Sequence, residues 1–163
     1  MAGFLPKPVS EFHKIPHARV AIVASMWHPH CVNAMVDRAV AELKKVGVSE
    51  KNISIHTLPG SLELPYAARC LFESDSALDA VIAFGVVLKG DTTHDDNVMQ
   101  NVVDGFGRVS DRFHKPIINE VIGVTSVEDA EKRSDNSVAN KGVEAVFALT
   151  ELLAWKASLC SSK

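Results

Sequence analysis

Short, nearly continuous apolar runs alternate with stripes of apolar residues at helical spacing, and this alternation constrains the chain more than any other feature. Arg19-Val-Ala-Ile-Val-Ala24 has the pattern of a strand buried on both faces. Val32, Met35, Val36, Ala39, Val40 and Leu43 then recur on one helical face, and Gly47 ends that helix. Residues 52–58 read as a second strand, 64–72 as a helix, and 79–84 as another buried strand. Val98, Val102, Phe106, Val109 and Phe113 mark one helical stripe, and residues 116–124 form a fourth strand. A short helix follows. Val143, Val146, Phe147 and Leu153 then mark a long last helix. Such alternation predicts an α/β fold with a parallel sheet covered by helices on both faces. Right-handed crossovers leave few topologies. The expected one is a flavodoxin-like three-layer sandwich of strand order 2-1-3-4, whose ligand site lies at the switch point between the first and third strands. The loops 25–30 and 85–94 converge there.

With 163 residues the chain is the size of one domain. The expected organisation is an N-terminal arm over 1–18, broken by Pro6, Pro8 and Pro16, one domain over 19–157, and a C-terminal tail over 158–163 that includes Cys160. A net charge of -3 carries no electrostatic footprint for nucleic acid or an anionic membrane. No apolar run is long enough to cross a bilayer, and residues 1–10 lack the apolar core of a secretion signal. Three cysteines, Cys31, Cys70 and Cys160, make no disulfide framework, and free thiols point to a cytoplasmic location. Without a secretion signal the sequon Asn52-Ile53-Ser54 carries no weight.

Several residues near the expected switch point could carry chemistry. Gly90-Asp-Thr-Thr-His94 turns from a strand into a helix, where Asp91, Thr92 or Thr93 could cap free N–H groups that attract an anion. An unperturbed imidazole titrates near pH ~6.5, which makes His94 a candidate for proton transfer; the plain alternative is a capped turn with a solvated histidine. Trp27 could stack on a flat heterocycle or serve as a core lid. His28 and His30 with Asp95 and Asp96 fit no standard zinc spacing, so no metal is expected. Cys31 near a helix start reads as a small packed residue rather than an activated thiol. Glu63 is the only acid in 58–65 and could bind hydroxyls, act as a base, or simply complement a helix dipole. Arg133 and Lys141 could hold phosphate or be solvated cations.

Taken in order, Trp27, Pro59-Gly-Ser-Leu-Glu-Leu-Pro65, Gly90-Asp-Thr-Thr-His94, Arg133 and Asn140-Lys-Gly-Val-Glu-Ala145 resemble the 6,7-dimethyl-8-ribityllumazine synthase family. The likeness runs from about Arg19 to Trp155. It implies condensation of 5-amino-6-(D-ribitylamino)uracil with 3,4-dihydroxy-2-butanone 4-phosphate, the penultimate step of riboflavin biosynthesis, with no cofactor and no metal. It further implies that Trp27 stacks on the uracil and that Ser61, Leu62 and Glu63 hold the ribityl chain. Groups around Val87, Leu88 and Asn119 read the uracil edge, with Lys141 nearby. Asp91, Thr92 and Arg133 bind phosphate, Arg133 coming from a neighbouring subunit. His94 transfers protons and Glu144 orients or pairs with it. The partners so implied are small-molecule substrates and further copies of the chain: a pentamer, with pairing into decamers or closure into a 60-subunit shell depending on loops such as 134–139.

The chain departs from the family pattern in three places. Asp95 follows the histidine where an aromatic is usual, Asn119 replaces a common aromatic, and Ser137 stands where a cation is frequent. Trp27-His28 is similar to a divergent, decameric branch. Two other readings stand beside the enzyme. One is a non-catalytic lumazine- or flavin-binding homologue, which would need neither His94 nor Arg133. The other is a receiver-type signalling domain, which would need an acid pair where Ser25-Met26-Trp27 offers none.

Overall fold

The computed structural model describes residues 5–161. It contains four strands and five helices: β1 (Val20–Ser25), α1 (Pro29–Lys45), β2 (Ile53–Leu58), α2 (Leu64–Ser74), β3 (Ala80–Leu88), α3 (His94–Phe113), β4 (Ile117–Val124), α4 (Val127–Lys132) and α5 (Lys141–Ser161). All pairings are parallel, in the order β2-β1-β3-β4. The sheet is the predicted one.

Because successive side chains on a strand point to opposite faces, the apolar runs divide into two cores. Ile22, Ile82, Phe84, Ile118 and Ile122 face α1 and α5, where Met35, Leu43, Val146 and Leu149 are fully buried. Val23, Val81, Ala83 and Val121 face α2 and α3, meeting Leu64, Phe72, Val102 and Phe106. The central strand β1 is buried along its whole length, as its uninterrupted apolar sequence requires.

Three boundaries differ from expectation. β3 continues past Phe84 to Leu88, because β4 extends beside it and pairs Val86 with Ile122 and Leu88 with Val124. The N-terminal segment is irregular but does not stay off the core: Phe12, Ile15 and Ala18 are buried, and Phe12 meets Phe147 of α5 at a ring separation of 5.4 Å. α5 remains helical through residues 158–161 rather than ending in an irregular tail, and Cys160 lies exposed on it. No described helix is long and apolar enough to cross a membrane.

Candidate active site

β1 ends at Ser25, and the chain turns sharply through His28, which takes a left-handed conformation (φ 54°) before Pro29 opens α1. The turn lifts Trp27 out of the core, leaving it 68% exposed. That exposure removes the core-lid reading of this tryptophan, since a lid would be packed against the residues it covers.

β2 ends in Pro59 and Gly60, followed by a 3-10 turn over Ser61–Glu63 that leads into α2. Gly60 allows a close approach. A β-carbon there would lie 2.9 Å from Glu63 Oε2 and 3.7 Å from the Trp27 ring. The Glu63 carboxylate and the indole therefore flank the same point of backbone. Ser61 is buried beneath them.

Beyond Leu88, β3 passes into the polar turn that starts α3. Thr92 Oγ1 accepts the His94 N–H at 3.3 Å, and Asp95 Oδ1 accepts the Gly90 N–H at 3.4 Å. Thr93 occupies the cap position but makes no side-chain cap bond, so capping here falls to Thr92.

These three turns enclose a cleft of about 480 Å³ at the carboxyl ends of β1, β2 and β3. Its volume suits a small organic ligand. Trp27, Ser61, Leu62, Glu63, Val87, Leu88, Thr92 and His94 all line it, at the switch point where the strand order predicted a site. The wall also includes His28, Gly60, Asp95 and Val98, to which sequence reasoning had assigned no binding role. The sequence had marked Asp95 only as a departure from the family pattern, at the position after His94. Gly60 is recognisable only once its distance to Glu63 is known.

The remaining candidates lie elsewhere on the protomer. Asp91 is exposed on the turn and does not line the cleft. Asn119 sits within β4, opposite Ala83, and its Oδ1 accepts the Val121 N–H at 3.0 Å. Arg133 ends α4, where one guanidinium nitrogen donates to the Asp129 carbonyl at 3.1 Å. Lys141 and Glu144 open α5 and are joined by a 2.7 Å salt bridge. Glu144 thus pairs with Lys141 within the protomer, and not with His94. A second acid, Glu120 of β4, reaches Lys141 at 3.4 Å. Its burial lifts the carboxyl pKa to about 7 in spite of the Lys141 charge. The signal for it in the sequence was a lone acid within an apolar strand.

The loop leading to Lys141 is tightly held. Asn140 donates to the carbonyls of Ser134 and Asp135 at 2.8 and 2.7 Å, and its side-chain oxygen accepts the Gly142 N–H at 2.7 Å. Among the described residues no group of three or more side chains that could hold a metal ion occurs, His28, His30, Asp95 and Asp96 included.

Several known proteins are similar to this chain. The family model described as 6,7-dimethyl-8-ribityllumazine synthase matches residues 17–157. A protein of that name from Bacteroides fragilis (strain YCH46) is 36% identical over 135 residues, covering 83% of this chain and 94% of its own. One from Stenotrophomonas maltophilia (strain K279a) is 38% identical over 137 residues, covering 83% and 87%. Another, from Phocaeicola vulgatus, is 33% identical over 152 residues, covering 91% and 90%. With the family model matched over residues 17–157 and relatives at 33–38% identity covering 83–91% of its length, this chain belongs to the 6,7-dimethyl-8-ribityllumazine synthase family.

Proposed function

We propose that the protein condenses 5-amino-6-(D-ribitylamino)uracil with 3,4-dihydroxy-2-butanone 4-phosphate to give 6,7-dimethyl-8-ribityllumazine. The observation that carries this reading is the cleft at the ends of β1–β3, where an exposed indole, a carboxylate and an imidazole share one wall. A flat pyrimidine stacks on Trp27. Ser61, Leu62 and Glu63 border the place where its polyol chain extends, and the carboxylate accepts hydroxyl hydrogen bonds. The backbone at Val87 and Leu88 offers edge contacts.

The reaction asks little covalent chemistry of the protein. The substrate's own amine condenses with the ketone to an imine and releases one water, inorganic phosphate is eliminated, and ring closure by the second amine expels another water, so no protein nucleophile is required. The protein holds the two molecules in register and moves protons. His94, at the start of α3, is the proton-transfer group. Asp91 and Thr92 lie on the turn that would face the phosphate.

Arg133, Asn119, Lys141 and Glu144 complete the site from a neighbouring copy, in a homo-pentamer whose active sites are shared. Two features support this. None of these four side chains lines the protomer's own cleft. Large apolar side chains also stand exposed on several elements, among them Tyr66 at 72% and Val103 at 51%, which is the mark of a covered surface. The three cysteines are free, in keeping with a cytoplasmic enzyme.

The experiment mixes the purified protein with both substrates and follows lumazine fluorescence together with phosphate release. Stoichiometric appearance of both supports the enzyme. Binding of a lumazine without turnover would instead identify a non-catalytic homologue.

A further inference from the structure

Glu120 is the only acid on β4, and its side chain lies on the face of the sheet occupied by Ile118 and Ile122. It is 8% exposed. The charged groups facing it both come from α5: Lys141 at 3.4 Å, and Glu144 behind that lysine. The adjoining β3 has no ionisable side chain and sets Phe84 in register with Glu120. On α4, Lys132 and Arg133 engage Asp129. α3 packs on the opposite face, where Met99 lies against Gly123.

Lys141 therefore stands between two carboxylates, in the first turn of a helix. A cation is disfavoured there by the helix dipole, as well as by partial burial. Burial works against the ammonium, but the hydrogen bond it donates to Glu144 and the charges of Glu120 and Glu144 outweigh it and hold Lys141 above the usual lysine range. A single salt bridge to Glu144 would satisfy its charge. The second, buried carboxylate is the feature left without a purpose.

We propose that Glu120 is a positioning residue: together with Glu144 it fixes the Lys141 ammonium and governs how much of that ammonium's hydrogen bonding is left for the pyrimidine substrate. The inference rests on the reading above, in which Lys141 approaches the uracil. An ammonium has three donors. When Glu120 is ionised, two of them point at carboxylates and the cluster carries one net negative charge. When Glu120 takes up a proton, its hold weakens, the cluster becomes neutral, and a donor turns to the substrate carbonyl. Binding of the pyrimidine should accordingly weaken as pH rises through neutrality, by about two- to tenfold, the scale of one hydrogen bond.

The test measures KM and kcat for the pyrimidine from pH 6 to pH 8 in the assembled wild-type enzyme, Glu120→Gln and Lys141→Ala. Glutamine keeps the size of the side chain and stays neutral. The expected result is a KM that rises across this range in wild type and is flat and low in Glu120→Gln, with kcat changed by less than about threefold. A purely structural Glu120 would alter stability or kcat and leave the pH profile in place. A Glu120→Gln enzyme that keeps the wild-type rise in KM overturns the inference, as does a wild-type KM that does not vary. Should the variant fail to fold, carboxyl-carbon NMR of the wild-type protein decides: titration of Glu120 near neutrality, with a matching shift at the Lys141 side-chain nitrogen, supports the proposal, and its absence refutes it. Lys141→Ala keeps the two readings apart. If its KM for the pyrimidine is unchanged, Lys141 is not at the site and the underlying reading fails. If its KM is raised while Glu120→Gln still follows pH, only the role of Glu120 fails.

Discussion

Gly142 packs so closely on α1 that a β-carbon there would overlap the Met35 carbonyl oxygen, and would also lie 2.7 Å from the Ala39 amide nitrogen. Both atoms are backbone on a buried helix, so neither can turn aside. Gly142→Ala must push α5 off α1. The expected cost is about 1–3 kcal/mol, a Tm lower by roughly 2–12 °C, read by differential scanning calorimetry. An unchanged Tm would mean that the two helices do not cross this closely.

Gly85 makes a comparable approach within the site. A β-carbon at Gly85 would stand 2.7 Å from Ser61 Oγ and 3.3 Å from Ser25 Oγ. Hydroxyl groups can rotate away, so Gly85→Ala should fold. It should displace Ser61 from the cleft wall and weaken binding of the ribityl-bearing substrate by about tenfold, the loss of one hydrogen bond. Calorimetric titration with a lumazine, beside the melting curve, checks both halves.

Trp27 should report directly on the ligand. Its ring is exposed at the mouth of the cleft, so a bound lumazine or riboflavin stacks on it and quenches its emission. Trp155 is also exposed and emits independently. Quenching should therefore fall sharply in Trp27→Phe. Undiminished quenching in that variant would place the ligand away from β1.

Arg133 and His94 should separate in kinetics. Charge-assisted contacts from Arg133 to phosphate are each worth roughly 1.5–3 kcal/mol. Arg133→Ala should lower kcat/KM for the phosphorylated ketone by about one to two orders of magnitude, mainly through KM. Lysine should rescue only in part, since a point charge does not reproduce the planar fork. His94→Ala should act on kcat, near the low end of the ~10²–10⁴-fold range of acid–base groups, because the substrate amine is already nucleophilic. Unchanged constants in Arg133→Ala would require another phosphate site. Light scattering belongs beside these assays: a stable, active monomer would rule out a site shared between copies.

The raised pKa of Glu120 makes stability depend on pH with a definite sign. Its carboxyl ordinarily titrates near 4.5, and burial lifts it to about 7 in the fold. The native state therefore binds this proton more tightly than the unfolded chain. The associated stability is fully present below pH 4.5 and is lost as pH rises through 7. The loss is on the order of 3 kcal/mol. Glu120→Gln should remove this slope between pH 5 and 8 in a series of melting curves, while other groups set the remaining dependence. A slope retained in the variant would assign it to a different residue.

The sheet and the place of the cleft at its switch point were determined by the sequence alone. Strand and helix periodicities are local, so runs such as 19–24 and stripes such as Val98–Phe113 declare themselves without reference to the rest of the chain. Strand order and the handedness of crossovers then put the loops after β1 and β3 together. That is why Trp27 and His94 could be found before any distance was known. Other features depend on segments far apart in the chain. Phe12 and Ile15 looked like part of a proline-broken arm, and only the apolar surface of α1 and α5 draws them into the core. Glu120 is an acid in an apolar strand until α5 brings Lys141 to it. Gly142, Gly60 and Gly85 are ordinary glycines until the atoms facing them are placed. The division of the candidate residues between one cleft and a separate Lys141–Glu144–Glu120 cluster belongs to the same class. Burial of a charge and close approach of backbones arise from several segments at once, so tertiary packing decides them and local pattern does not.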